Sequence, residues 1–155
     1  CAMNALEHRI PPPLVMLLTA FAMWQFARLL PRVEVDDTVR LVLAGLFLTD
    51  ALFCCLAGVY SFRRAHTTVD PLHPEKASRL VTGGIYRVSR NPMYLGFAIF
   101  LLAWAVFLAS PWMLLGVPAF MAFIGRLQIQ PEERALESLF GEEYRDYKAR
   151  VRRWL

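Results

Sequence analysis

The chain is poor in the residues that would make it a secreted or metal-built domain. Its 155 residues include three cysteines, Cys1, Cys54 and Cys55. Two of these are adjacent inside an apolar stretch, and no CxxC or Cys/His spacing occurs, so neither a disulfide framework nor a zinc site is expected. No charged start, short apolar core and small-residue cleavage site are arranged as a secretory signal, and Cys1-Ala2 is taken as a remnant ahead of a natural start at Met3. Internal repeats and low-complexity tracts are also lacking. Only 19% of residues are charged, and the net charge is a modest +4. With the basic residues grouped beside apolar blocks rather than spread over one face, no nucleic-acid partner is expected.

What is abundant is apolar residues, at 57% of the chain and gathered into blocks. That pattern suits a membrane protein better than a large soluble core. After Pro11-Pro12-Pro13 the blocks run Leu14–Leu30, Leu41–Tyr60, Met93–Ala109 and Trp112–Ile124. At about 1.5 Å per residue the second rises about 30 Å, the thickness of a bilayer's hydrocarbon, and the first is near the lower limit. The short break at Ser110-Pro111 implies an antiparallel hairpin, and Pro118 is expected to kink the fourth block. The expected fold is an all-α integral membrane protein of one domain, with about four transmembrane helices and C-terminal amphipathic helices. Asp50 falls in the middle of the second block. A carboxyl group at that depth costs at least about 2.5 kcal/mol, so it is expected to face a wet cavity or a helix-to-helix hydrogen bond.

The connector from Ser61 to Pro92 carries Arg63, Arg64, Lys76, Arg79, Arg87 and Arg90 against only Asp70 and Glu75. The positive-inside rule puts this connector, the C-terminal segment and both termini in the cytoplasm, with the 31–40 and 110–111 turns on the other side. Gln130-Pro131 is expected to open the C-terminal segment, with Glu132 and Glu133 at the positive end of its helix dipole. Ala135, Leu136, Leu139 and Phe140 then make one apolar face, and Tyr144, Tyr147, Val151, Trp154 and Leu155 continue it after Gly141. These helices are expected to lie on the membrane surface or over the site.

Several chemistry-bearing residues therefore meet on one side. Gly83-Gly84 permits a sharp turn and close approach of a ligand. Arg87 and Arg90 offer fixed positive charge, Tyr86 and Tyr94 a flat face with a hydroxyl, and Glu132 and Glu133 accept hydrogen bonds from ribose hydroxyls or an ammonium. Together they suit a zwitterionic nucleoside with an amino-acid tail. Taken singly, each has a plainer reading as turn glycine, membrane-anchoring arginine or helix-start glutamate.

Thr82-Gly83-Gly84-Ile85-Tyr86-Arg87, Ser89-Arg90-Asn91-Pro92-Met93-Tyr94-Leu95-Gly96, Pro131-Glu132-Glu133, Phe140-Gly141, Tyr144, Tyr147 and Arg150-Val151-Arg152-Arg153 resemble the isoprenylcysteine carboxyl methyltransferase and phospholipid methyltransferase superfamily. The pattern is Arg-His-Pro-x-Tyr, a membrane hairpin and Glu-Glu, and covers about residues 60–155. The resemblance implies a membrane methyltransferase that encloses S-adenosyl-L-methionine on the cytosolic side. Its acceptor is lipophilic, an isoprenylcysteine-type carboxylate or a lipid amine, and arrives from the bilayer. Compact bacterial members imply an inner-membrane location. By position, Arg90, Asn91, Pro92, Tyr94 and Leu95 would line the methionine end, Val81, Thr82, Gly84 and Tyr86 the same pocket, and Glu132 and Glu133 the ribose or amino group. Arg90, Tyr94 and Glu133 are the expected catalytic residues. Asn91 stands where the family often has histidine, and its backbone is expected to do the work. Glu133, Tyr94 or His73 would assist an amine acceptor. His66 suits a surface histidine, and Thr67–Pro71 a second pocket wall or an ordered turn. Two alternatives use the same residues differently: an NADPH-dependent membrane reductase of the sterol-reductase type, and a non-enzymatic lipid-binding protein whose arginines meet anionic headgroups.

Overall fold

The structure is a computed structural model that describes residues 10–67 and 76–155. His73 and Thr68–Pro71, named above as a possible assistant and wall, lie outside the described residues. Every regular element among the described residues is helical. The elements are α1 (Pro12–Ala27), α2 (Asp37–Arg64), a 3-10 turn (Gly84–Arg87), α3 (Pro92–Leu108), a second 3-10 turn (Pro111–Leu115), α4 (Gly116–Ile124), a π-turn (Gly125–Ile129), α5 (Gln130–Phe140) and α6 (Glu142–Arg150).

Prolines and a cap set the starts. Pro12 and Pro92 occupy the first turns of α1 and α3, where a missing N–H leaves no intrahelical bond unmade. Asp36 caps α2, its Oδ1 accepting from Thr38 N at 2.9 Å and Val39 N at 3.2 Å. This cap begins α2 before the apolar block, and the helix reaches 28 residues. α3 ends at Ala109, whose left-handed φ of 53° turns the chain into Ser110-Pro111.

α3 is the central helix. Ala98, Leu101, Ala105 and Leu108 are buried and form one core with Val15, Met23 and Ala27 of α1, Phe120 and Ile124 of α4, and Ile129. α2 packs on another side of α3 at very short range. A Cβ built on Gly96 would lie 2.5 Å from Cys55 Sγ and 2.9 Å from the Ala51 carbonyl oxygen, and one on Gly58 would lie 2.7 Å from Met93 Cγ. Small residues at such crossings let helices in a membrane gain dispersion contact where lipid offers no hydrophobic drive. At the far end, Val33 N donates to Ala109 O at 2.8 Å and Ser110 Oγ to Pro31 O at 3.3 Å, joining the two turns expected to share a side.

Two helical runs, Asp37–Arg64 and the continuous Pro111–Phe140, are long and apolar enough to cross a membrane, while Pro12–Ala27 and Pro92–Leu108 are shorter apolar helices. Leu17, Leu18, Phe21, Leu46, Leu52, Phe53 and Leu56 face outward, each more than half exposed. An apolar surface of that extent suits contact with a membrane or another protein rather than with water.

Pro118 lies in the first turn of α4, directly after the second 3-10 turn. Two expectations need correction. Gln130-Pro131 does not open a new segment. The helix continues through the π-turn, whose wider winding absorbs the N–H that Pro131 lacks. Glu132 and Glu133 thus sit within a continuous run rather than at a free helix start. Leu139 turns outward, 47% exposed, while Leu136 and Phe140 pack inward.

The close α2–α3 contact predicts a contrast between two glycines. Gly96→Ala should destabilise the detergent-purified protein by about 1–3 kcal/mol through overpacking. Gly45→Ala, where a Cβ would meet nothing within 4 Å, should hold or raise the thermal midpoint. Equal midpoints for the two variants would contradict this packing.

Candidate functional site

The π-turn decides which way the fourth helical run points its polar residues. Phe120, Ile124, Gln128 and Glu132 recur every four residues, a spacing that drifts about 40° per step in an ideal α-helix. The wider π winding offsets that drift, so Gln128, 3% exposed, stays on the inward side with Phe120 and Ile124. Its Nε2 donates to Glu132 Oε1 at 3.0 Å. The Tyr94 hydroxyl donates to the same carboxylate oxygen from the first turn of α3. A buried amide and a buried phenol thus both donate to one carboxylate oxygen, which offsets part of the cost of burying all three groups.

One residue on, Glu133 faces two guanidinium groups. Arg153 grips it bidentately, Nε to Oε1 at 3.0 Å and Nη2 to Oε2 at 2.7 Å. Arg90 Nη1 lies 3.2 Å from Oε1, close enough for an ion pair but not aligned as a hydrogen bond. The side chains of Arg90 and Glu133 are 10% and 13% exposed. Arg90 Nε and Nη1 are buried with no hydrogen-bond acceptor among the described residues. The carboxylate beside Arg153 pushes its guanidinium further up from an already high value.

The C-terminal tail then closes on the loop. Arg90 N donates to Arg152 O at 3.0 Å, and Asn91 Nδ2 to Arg153 O at 3.0 Å. Ser89 Oγ approaches the same Arg153 carbonyl at 3.5 Å and accepts from Asn91 N at 3.1 Å. The Asn91 side chain is therefore occupied in holding the tail. Below this, Val81, Tyr86, Tyr144 and Tyr147 form a second packed cluster with Phe62 of α2 and Leu136 and Phe140 of α5. Tyr147 donates its hydroxyl to the Tyr86 carbonyl at 2.7 Å. Burial pushes the Tyr86 and Tyr147 hydroxyls well up and that of Tyr144 up to about 12, so all three stay protonated at neutral pH.

Of the residues singled out from the sequence, Tyr94 meets Glu132 and Arg90 meets Glu133, two contacts one residue apart on the fourth helical run. Asn91 and Pro92 hold the turn into α3, and Leu95 is buried in that helix. Val81 and Tyr86 belong to the packed cluster. Gly84 takes φ +60°, and a Cβ there would lie 2.9 Å from Ser61 Oγ, so glycine is required at this turn. Thr82 lies half-buried on the same loop, while Arg87 and His66 face outward. Sequence reasoning missed Gln128, and took Arg153 only as part of the family pattern and not as a site residue. The first was marked by a polar residue four positions before Glu132 in an apolar run. The second has no periodic signal, because its place depends on the tail folding back.

The Tyr147–Tyr86 bond gives a direct test of this closure. Tyr147→Phe leaves a buried carbonyl unpaired, at about 1–3 kcal/mol. Hydrogen exchange at residues 81–90 should speed up in this variant while α3 stays protected. Unchanged exchange in that loop would contradict the role given to α6.

A buried carboxylate–guanidinium knot joining an Arg-x-Pro-x-Tyr turn to a Glu-Glu pair across a helical hairpin is a composite that can be compared with known proteins. The phospholipid methyltransferase family model matches residues 39–143. An uncharacterised protein of Haemophilus influenzae is 51% identical over 63 residues, 41% of this chain and all of that one. A probable protein-S-isoprenylcysteine O-methyltransferase of Oryza sativa subsp. indica is 36% identical over 91 residues, 57% of this chain and 46% of that one. Methanethiol S-methyltransferase 1 of Bradyrhizobium diazoefficiens is 41% identical over 73 residues, 47% of this chain and 25% of that one. These matches span about half the length of the rice relative and a quarter of the Bradyrhizobium one. With more than half of its residues matched by the family model, the chain belongs to the phospholipid methyltransferase family.

Proposed function

We propose that the chain is an integral membrane methyltransferase that uses S-adenosylmethionine, held on the cytoplasmic side between the 81–96 loop and the segment from Gln128 to Arg153, and that it methylates a lipophilic acceptor. The observation that carries this reading is Arg90. Its guanidinium is buried and ion-paired through Nη1 to Glu133, yet Nε has no acceptor among the described residues. A buried donor without a partner is costly, and a ligand carboxylate is a group that fits it. The residues present therefore suit the amino-acid end of the cofactor. Glu132, Tyr94 and Gln128 form the polar wall beside it.

When bound, S-adenosylmethionine supplies a methyl group already activated on a sulfonium sulfur. The chain's own residues then have a modest task. Arg90 fixes the ligand's orientation, the tail residues Arg152 and Arg153 close the turn, and the tyrosine cluster keeps water away from one side. Orientation alone can supply about 7–11 kcal/mol in favourable cases. Glu133, gripped by two guanidiniums, acts as an anchor for Arg90 and not as a base. Tyr94 and Glu132, hydrogen-bonded together, are the pair placed to take a proton from an amine acceptor. A carboxylate acceptor needs no such step.

The relatives' names differ in the atom methylated, an oxygen in one and a sulfur in the other. What they share is methyl transfer, so the acceptor here is carried only as a class, a lipophilic nucleophile. An isoprenylcysteine-type carboxylate and a lipid amine both belong to it. On this reading four crossings place both termini and the site in the cytoplasm, with α5 and α6 along the membrane surface.

Calorimetry on the detergent-purified protein tests the reading. It should bind S-adenosylhomocysteine and not NADPH. Tyr94→Phe and Glu133→Gln should each weaken binding about tenfold, while helix content stays unchanged. NADPH binding alone would support the reductase alternative. Absence of any adenosyl-ligand binding by intact protein would sink the proposal.

A further inference from the structure

Asp50 is the fourteenth residue of the 28-residue helix α2. At 1.5 Å per residue it lies about 20 Å from either end, too far for a short aspartate side chain to reach the interface. It was expected to face a wet cavity or to make a helix-to-helix hydrogen bond. Within the described residues it does neither, because its side chain is on the exposed surface of α2. Apart from the Cys54 thiol one turn along, no described group interacts with it.

Asp50 belongs to a row on that surface. Val39, Leu43, Leu46 and Phe53 are all exposed, and with Asp50 their spacing is four, three, four, three. Leu41, Val42, Leu48, Leu52, Leu56 and Tyr60 of α2 are exposed as well, so the row is one line on a broad apolar surface, and its four-three spacing is the one along which two left-handed supercoiled helices meet. A single polar residue within such a seam sets register and partner number. A carboxyl group at the middle of the hydrocarbon also needs a hydrogen-bonding partner at its own depth. Lipid headgroups are at the wrong depth. A second copy of this chain, inserted in the same orientation, brings its own Asp50 to the same depth by symmetry.

We propose that this row of α2 is a two-fold interface between two copies of the chain, in which the two Asp50 carboxyl groups hydrogen-bond to each other and Val39, Leu43, Leu46 and Phe53 pack along the seam. Such an interface is isologous, each residue near the axis meeting its own counterpart. It lies on the side of α2 away from the close α3 contact at Ala51, Cys55 and Gly58.

The test is association in lipid vesicles, read by energy transfer between donor- and acceptor-labelled full-length protein as the protein-to-lipid ratio is varied. The wild-type chain should be dimeric. Asp50→Leu, which removes a polar group from an apolar face and so should fold, should weaken dimerisation about tenfold or more. Asp50→Asn, which keeps hydrogen-bonding capacity, should remain dimeric. Thr49→Leu, on a neighbouring face where the hydroxyl already bonds Gly45 O, should change nothing. A wild-type chain that is monomeric at every ratio, or an Asp50→Leu variant that associates as strongly as wild type, would overturn the proposal.

Discussion

Glu133 stands between the guanidiniums of Arg90 and Arg153, and three separate parts of the chain depend on that contact. Arg90 comes from the turn before α3, Glu133 from the helical run that follows the hairpin, and Arg153 from the tail. Burying charges is costly, and an ion pair at this depth is poor evidence of stability for its own sake. What it supplies is definition. With Glu133 held on two sides, Arg90 is tied to a fixed carboxylate, and its Nε is left buried without an acceptor among the described residues. Removal of the carboxylate would leave two cations facing each other in a partly buried site.

The hairpin of α3 and α4 makes this meeting possible, but the π-turn at Gly125–Ile129 fixes its register. Without the extra winding, the inward line through Phe120 and Ile124 would drift off the core before reaching Gln128 and Glu132. The same turn accommodates Pro131 in mid-run. A local departure from α geometry therefore serves two ends, keeping an apolar helix packed and aiming its polar continuation at Tyr94.

Much of this was legible in the chain itself. Apolar blocks marked the helices because bilayer thickness sets their length, with Pro11-Pro12-Pro13 ahead of the first and Ser110-Pro111 breaking the third from the fourth. The convergence of the loop with Glu132 and Glu133 followed from counting crossings and from where arginine gathers. Less legible were features that depend on tertiary return. Gln130-Pro131 looks like a helix start because proline ordinarily is one, and only the π-turn shows otherwise. Arg153 sits in no periodic pattern, and Asn91 gave no sign that its side chain would bind the tail. Asp50 could be flagged as costly at its depth, but the face it occupies required the packing of α2 on α3. The identity of the ligand class came from resemblance and not from residue patterns, since glycines, arginines and glutamates near a membrane have plainer uses.

The central claim is that the 81–96 loop and the segment from Gln128 to Arg153 are two halves of one ligand site. Hydrogen exchange of the intact protein with and without S-adenosylhomocysteine tests it most directly. The account predicts that both segments gain protection together and at the same ligand concentration, with α1 unchanged. Protection confined to one segment, or spread evenly over the whole chain, would contradict it.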